Sequence, residues 1–212
     1  MTDKYYVAIA GNIGVGKTTM TKLISEKLSW EAFYEPVIEN PYLDDFYKDM
    51  EKWSFHLQVY FLSKRFELQK KIVEENISCV QDRTIYEDVE IFARTLFEQG
   101  SMTERDFLNY CELFKNMTSY LQKPNLIVYL RASIDELQKR IMQRGRDSEK
   151  TISRKYLQKL NDAYENWLPE AKNMTNVVTI ETQNRTENEL SQEADRIIRK
   201  IEEFCPPSIF DR

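Results

Sequence analysis

The chain has 212 residues, 42% hydrophobic and 31% charged, with a formal net charge of −5. That length suits one domain, spanning 1–212, with a sizeable core. The acidic balance argues against a nucleic-acid backbone as partner, though a local basic patch could still hold a small phosphate. One histidine and three widely spaced cysteines, Cys79, Cys111 and Cys205, argue against a zinc site, a disulfide framework or a Ser-His-Asp triad. There is no run of eighteen apolar residues and no signal-peptide pattern, so a soluble cytoplasmic protein with no membrane partner is expected.

Residues 5–10, YYVAIA, read as a buried strand running into a glycine-rich turn. That turn, GNIGVGKTT at 11–19, matches G-x-x-x-x-G-K-[ST] and contains three of the five glycines. In such a loop Gly11, Asn12, Ile13, Gly14, Val15 and Gly16 turn backbone N–H groups onto phosphate oxygens. Lys17 reaches the β- and γ-phosphates, Thr18 holds Mg²⁺, and Thr19 continues into a helix whose positive end faces the anion. The helix runs to residue 28, with Met20, Leu23, Ile24 and Leu28 as its apolar stripe.

A short strand is expected at 32–37 and a long helix at 52–75. In that helix Gln58 and Arg65 are seven residues apart, on nearly the same face and about 10 Å from each other. By themselves they read as solvent-facing groups. A third strand is expected at 77–83, followed by a helical stretch to about 121 and a fourth strand at 125–131. The segment KRIMQRGRD, 139–147, sets Arg140 and Arg144 on one helix face, with Arg146 just past Gly145. Arginines on a glycine-hinged cap can close over a transferring phosphate and exclude water, giving a lid at about 140–152. A helix through Tyr156, Leu160, Tyr164 and Trp167 follows, then a fifth strand at 176–181. Thr186 and Glu189 suggest a capping box for a last helix burying Leu190, Ala194, Ile197, Ile201 and Phe204. Short apolar strands alternating with helices indicate a parallel sheet covered on both faces, an α/β fold.

The phosphate loop fits a switch, a motor or a small-molecule kinase. No N-K-x-D guanine reader is present, and 212 residues leave little room for coupling domains, so the Arg-rich cap favours the kinase. Taken in order, GNIGVGKTT, EPV, NPYLDDFY, WSFHLQVYFLSKR, DRTIYED and RGRD resemble the deoxyribonucleoside kinases of the deoxycytidine/deoxyguanosine kinase group, and most of all the bacterial deoxyadenosine kinases. The resemblance implies a three-layer P-loop kinase fold with a five-stranded parallel sheet and an Arg-rich lid, usually as a homodimer. It implies ATP-dependent, Mg²⁺-requiring phosphorylation of the 5'-hydroxyl of a deoxyribonucleoside, with deoxyadenosine favoured. Deoxycytidine or deoxyguanosine as main substrate, a nucleoside monophosphate kinase, and a non-catalytic nucleotide sensor are the alternatives.

The resemblance also assigns roles. Glu35 would be the general base on the 5'-hydroxyl, with Asp82 as runner-up. Arg83 would hold Glu35 and the 5'-oxygen, and Asp82 would sit near Mg²⁺. Gln58 would read the base edge, its oxygen accepting from adenine N6 and its nitrogen donating to N1; cytosine N4 and N3 present the same pattern. Arg65 would pair with Asp88. Leu57 and Phe92 would pack the base and Leu43 the sugar, while Tyr47 would bond the 3'-hydroxyl and help exclude a 2'-hydroxyl. His56, roughly 200° around the helix from Gln58, would face away. Animal-type members carry a Glu just after the lid that contacts the sugar, and the register drawn from TISRKYL puts Lys155 there.

Overall fold

The computed structural model describes residues 4–34, 40–183 and 187–204. Five strands form one sheet: β1 (Tyr6–Gly11), β2 (Glu31–Phe33), β3 (Cys79–Asp82), β4 (Leu126–Arg131) and β5 (Asn176–Glu181). Their order is β2-β3-β1-β4-β5, and every pairing is parallel. β1 is buried along its whole length because helices cover both faces, which explains its unbroken apolar run. The chain order reverses beside β1, and ligands in open parallel sheets bind beyond the strands' carboxyl ends at such a reversal. Both the phosphate loop after β1 and Asp82-Arg83 after β3 lie at that end.

The helices are α1 (Lys17–Leu28), α2 (Leu43–Lys48), α3 (Met50–Glu75), α4 (Arg94–Glu98), α5 (Glu104–Thr118), α6 (Ile134–Arg144), α7 (Arg154–Met174) and α8 (Glu187–Phe204). α3 is capped by the Asp49 side chain, which accepts from the Lys52 N–H at 3.1 Å. Its buried residues Ser54, Leu57, Gln58, Leu62, Arg65, Gln69 and Ile72 follow a helical period. α6 and α7 begin on Ser133 and Ser153, whose hydroxyls accept from the N–H three residues on.

Some expectations need correction. β2 is shorter than the stretch 32–37; residues 35–39, including Glu35, lie outside the described residues, as does Thr186 of the suggested capping box. The helical stretch to 121 is three pieces: a π-helical turn at Asp88–Ala93, then α4, then α5 after a break at Gly100, where φ is +84°. On α8, Ala194, Ile197 and Ile201 are buried, but Phe204 is 37% exposed, with the Lys200 ammonium 5.9 Å from its ring.

Candidate active site

Two glycines of the phosphate loop stand where a side chain would be strained and crowded. Gly11 has φ +144°, and a Cβ there would lie 2.6 Å from the Leu130 carbonyl oxygen. Gly14 has φ +82°, and its Cβ would meet Ile141 at 2.8 Å. Both conformations are strained for L-residues. α1 carries no acidic residue in its first turn, so its positive end is left for an anion. Lys17 is buried, and its ammonium donates to the Asn12 carbonyl at 3.0 Å. The Thr18 hydroxyl donates to Asp82 Oδ2 at 2.5 Å, joining the loop to the end of β3.

The loop forms one end of a cleft of about 910 Å³. Ile13, Gly14, Gly16, Lys17, Thr18 and Thr19 line it, whereas Gly11, Asn12 and Val15 stand behind. Asn12 works from there: its amide donates to the Leu157 carbonyl and Asn161 Oδ1 on α7, and its oxygen accepts from the Ile13 N–H.

The cleft's other end is built from side chains. α2 contributes Leu43 and Tyr47; α3 contributes Leu57, Gln58, Phe61 and Arg65; the π-helical turn contributes Asp88 and Phe92. Arg65 Nε donates to Asp88 Oδ1 at 3.1 Å, with both side chains at most 3% exposed. Gln58 is 2% exposed, and its Oε1 has no hydrogen-bond partner among the described residues. An unpaired buried acceptor costs about 1–3 kcal/mol, so this atom suits a ligand donor. His56 is exposed and packs on Trp53 and Tyr42, turned away from the cleft as its position on the helix requires.

Arg83 has a left-handed backbone, φ +69°, rare outside glycine. It directs a buried guanidinium over the Phe92 ring at 4.5 Å, beside the Tyr164 hydroxyl at 2.8 Å. Over the cleft, Arg140, Arg144 and Arg146 form the rim. α6 ends at Gly145, φ +69°, the hinge expected between them. Arg144 and Arg146 both pair with Glu149, 4% exposed, in a short 3-10 turn at Asp147–Glu149. Arg140 is otherwise engaged: it donates to the Val15 carbonyl at 2.7 Å, to Thr182 and to Glu136, fastening α6 to the loop and to the end of β5.

The model of the deoxynucleoside kinase family matches residues 7–206. The chain belongs to that family. It is 44% identical over 164 residues to the deoxyadenosine/deoxycytidine kinase of Bacillus subtilis, covering 76% of each chain. It is 42% identical over 175 residues to the deoxyadenosine kinase of Dictyostelium discoideum, covering 82% of this chain and 71% of that one. The solved deoxyadenosine kinase of M. mycoides with bound dATP superposes with a TM-score of 0.81 at 29% identity, over 92% of this chain and 99% of that one. The protein is therefore a kinase that phosphorylates a deoxyribonucleoside from a nucleotide donor.

Several residues of the kinase escape a reading by sequence. Glu149 is a buried carboxylate in the cleft wall, while Lys155 is exposed in the first turn of α7 and lines no part of the cleft. The acidic group in the cleft wall at the end of the lid is Glu149, three residues after Arg146. Glu87, 0% exposed, faces Arg83 at 3.5 Å; its signal was the i, i+4 spacing. Tyr156 and Tyr164 carried only the signal of apolar periodicity. Burial pushes both hydroxyls above the ordinary tyrosine range, so both are neutral donors near pH 7.

Proposed function

We propose that the preferred acceptor is deoxyadenosine, phosphorylated on its 5'-hydroxyl by ATP. The observation carrying the base-edge reading is the unpartnered Gln58 Oε1, buried in the cleft that also holds the Arg65–Asp88 pair and opens onto the phosphate loop; the choice of adenine over cytosine, which presents the same edge, rests on the likeness to deoxyadenosine kinases. Adenine N6–H would satisfy that oxygen, and the Gln58 amide would donate to N1. Leu57 and Phe92 would pack the base. Leu43, Tyr47 and Glu149 would surround the sugar, with Tyr47 and Glu149 as its polar partners.

Lys17, the backbone N–H groups of the loop and the start of α1 would hold the transferring phosphates. Arg144 and Arg146 would exchange Glu149 for developing negative charge. Arg83 would hold the 5'-oxygen in line, and Glu35 would accept its proton, with Asp82 as the alternative base. Thr18 and Asp82 fit Mg²⁺: a hydroxyl and a carboxylate already in contact offer two hard oxygens, and this ion takes the rest of its shell from water and phosphate. Bound there, it would neutralise phosphate charge. The rate would come from positioning and charge stabilisation without a covalent intermediate.

We also propose one domain over 1–212, a homodimer and a cytoplasmic location. Leu108 and Leu113 leave apolar surface on α5, which packs beside α3. Cys79 and Cys111 are free thiols, and no described helix is long and apolar enough to cross a membrane.

The test is kcat/KM with Mg-ATP for deoxyadenosine, deoxycytidine, deoxyguanosine, thymidine and adenosine. A preference for deoxyadenosine, with adenosine poor, is expected. Equal use of deoxycytidine would replace this reading with a pocket that recognises only the edge common to adenine and cytosine.

A further inference from the structure

Arg83 is held from behind by a buried cluster that touches no part of the cleft. Glu87 sits at its centre, a fully buried carboxylate. Its Oε1 accepts from the Thr84 N–H at 2.7 Å; its Oε2 accepts from the Gly11 N–H at 3.3 Å and lies 3.5 Å from Arg83 Nη1. The Tyr164 hydroxyl lies 2.6 Å from Glu87 Oε2, 2.8 Å from the Gly11 carbonyl, and accepts from Arg83 Nη1 at 2.8 Å. Burying a carboxylate costs several kcal/mol unless it is paired and hydrogen-bonded, and pairing for stability alone rarely improves on apolar packing. Here both carboxylate oxygens reach the backbone of one catalytic loop each, and the same group faces the arginine between them.

The anchoring helix adds a second observation. Leu157, Asn161 and Tyr164 lie on one face of α7 at i, i+4 and i+7. Leu157 and Asn161 hold the Asn12 side chain, and Tyr164 reaches Gly11. α7 begins at Arg154, directly after the arginine lid. One helix face therefore grips the phosphate loop at two adjacent residues and the arginine at a third point.

We propose that Tyr164 and Glu87 are positioning residues for Arg83, fixing its guanidinium relative to the phosphate loop so that acceptor oxygen and donor phosphate stay in line. This rests on the reading that Arg83 acts on the reacting oxygen. Misplacement of about 1 Å can cost about 10²-fold in rate, so a strut that touches no substrate can still control turnover.

The test uses the full chain carrying Tyr164→Phe, Glu87→Gln, Arg83→Lys, or Arg83→Lys with Tyr164→Phe. Tyr164→Phe removes one oxygen and keeps the ring stacked on Tyr129 at 5.4 Å. For each of Tyr164→Phe and Glu87→Gln we expect kcat to fall about 10–100-fold with acceptor KM changed less than about 3-fold. The double variant should be no slower than Arg83→Lys by more than about 2-fold, because both changes act through one group. A merely structural role would lower the thermal midpoint and leave kcat per folded enzyme near wild type, overturning the proposal. Multiplying effects in the double variant would overturn it as well, and so would loss of folded protein from both single variants. If Arg83→Lys itself retains full kcat, the role given to Arg83 fails first. If only Tyr164→Phe and Glu87→Gln retain it, the strut fails and the role of Arg83 stands.

Discussion

The two ends of the cleft are made of different material. The phosphate end is largely backbone: glycines at positive φ, N–H groups and a helix terminus, joined by the side chains of Lys17 and Thr18, all within nine consecutive residues. The acceptor end is side chain, drawn from α2, α3 and the π-helical turn and spread over residues 43 to 92. Backbone recognition suits a group common to every reaction the enzyme performs, since a phosphate presents the same oxygens whichever acceptor is present. Side-chain recognition suits the variable partner. Among the described residues, the buried polar groups of the acceptor end include the ion pair Arg65–Asp88 and the carboxamide of Gln58.

If that division holds, damage to the phosphate end should be blind to the acceptor. Lys17→Ala should lower kcat/KM by on the order of 10²–10³-fold, by the same factor for every deoxynucleoside accepted. Parallel initial-rate series would show it, and a factor that differs between bases would break the comparison. Gln58→Leu should do the reverse. We expect about a 10–100-fold loss on deoxyadenosine and deoxycytidine, with the thermal midpoint unchanged or slightly raised because an unpaired buried oxygen is gone. A large loss of stability would mean that Gln58 supports the fold instead.

The smallest effect belongs to the sheet that carries both ends. Burial pushes the Cys79 thiol up to about 12, from an ordinary value of 9.0. The native state therefore keeps a proton that the unfolded chain releases above pH 9. That stability is complete below pH 9 and is lost as pH rises toward 12. The thermal midpoint should fall between pH 9 and 11, less steeply in Cys79→Ala.

How much of this was legible in the sequence follows the same division. GNIGVGKTT is contiguous and its chemistry is dictated by glycine, so the loop could be read directly. β1 and β4 were visible because strands buried on both faces are unbroken apolar runs, whereas β3 ends in Gln81 and Asp82 and the edge strand β5 buries only Ile180, so these two showed only as short β-branched stretches. The acceptor end was different. Gln58 and Arg65 share a helix face, which periodicity shows, but periodicity could not say whether that face met water or a cleft. Only the resemblance pointed inward. Tyr164 lies 81 residues from Arg83 in sequence and reads like any buried aromatic, so no local pattern could pair them. Glu149 was passed over because no sequence pattern announces the 3-10 turn that pairs it with Arg144 and Arg146.

The π-helical turn at Asp88–Ala93 has an evolutionary consequence. A π turn takes up one surplus residue as a local bulge, so losing that residue would close the bulge, keep the flanking faces in register and rearrange only the side chains within the turn. Asp88 and Phe92 both lie within it. Among relatives, a single-residue gap at this place would look like trivial length variation. It would instead mark a lineage that has rearranged the side chains lining this end of the cleft.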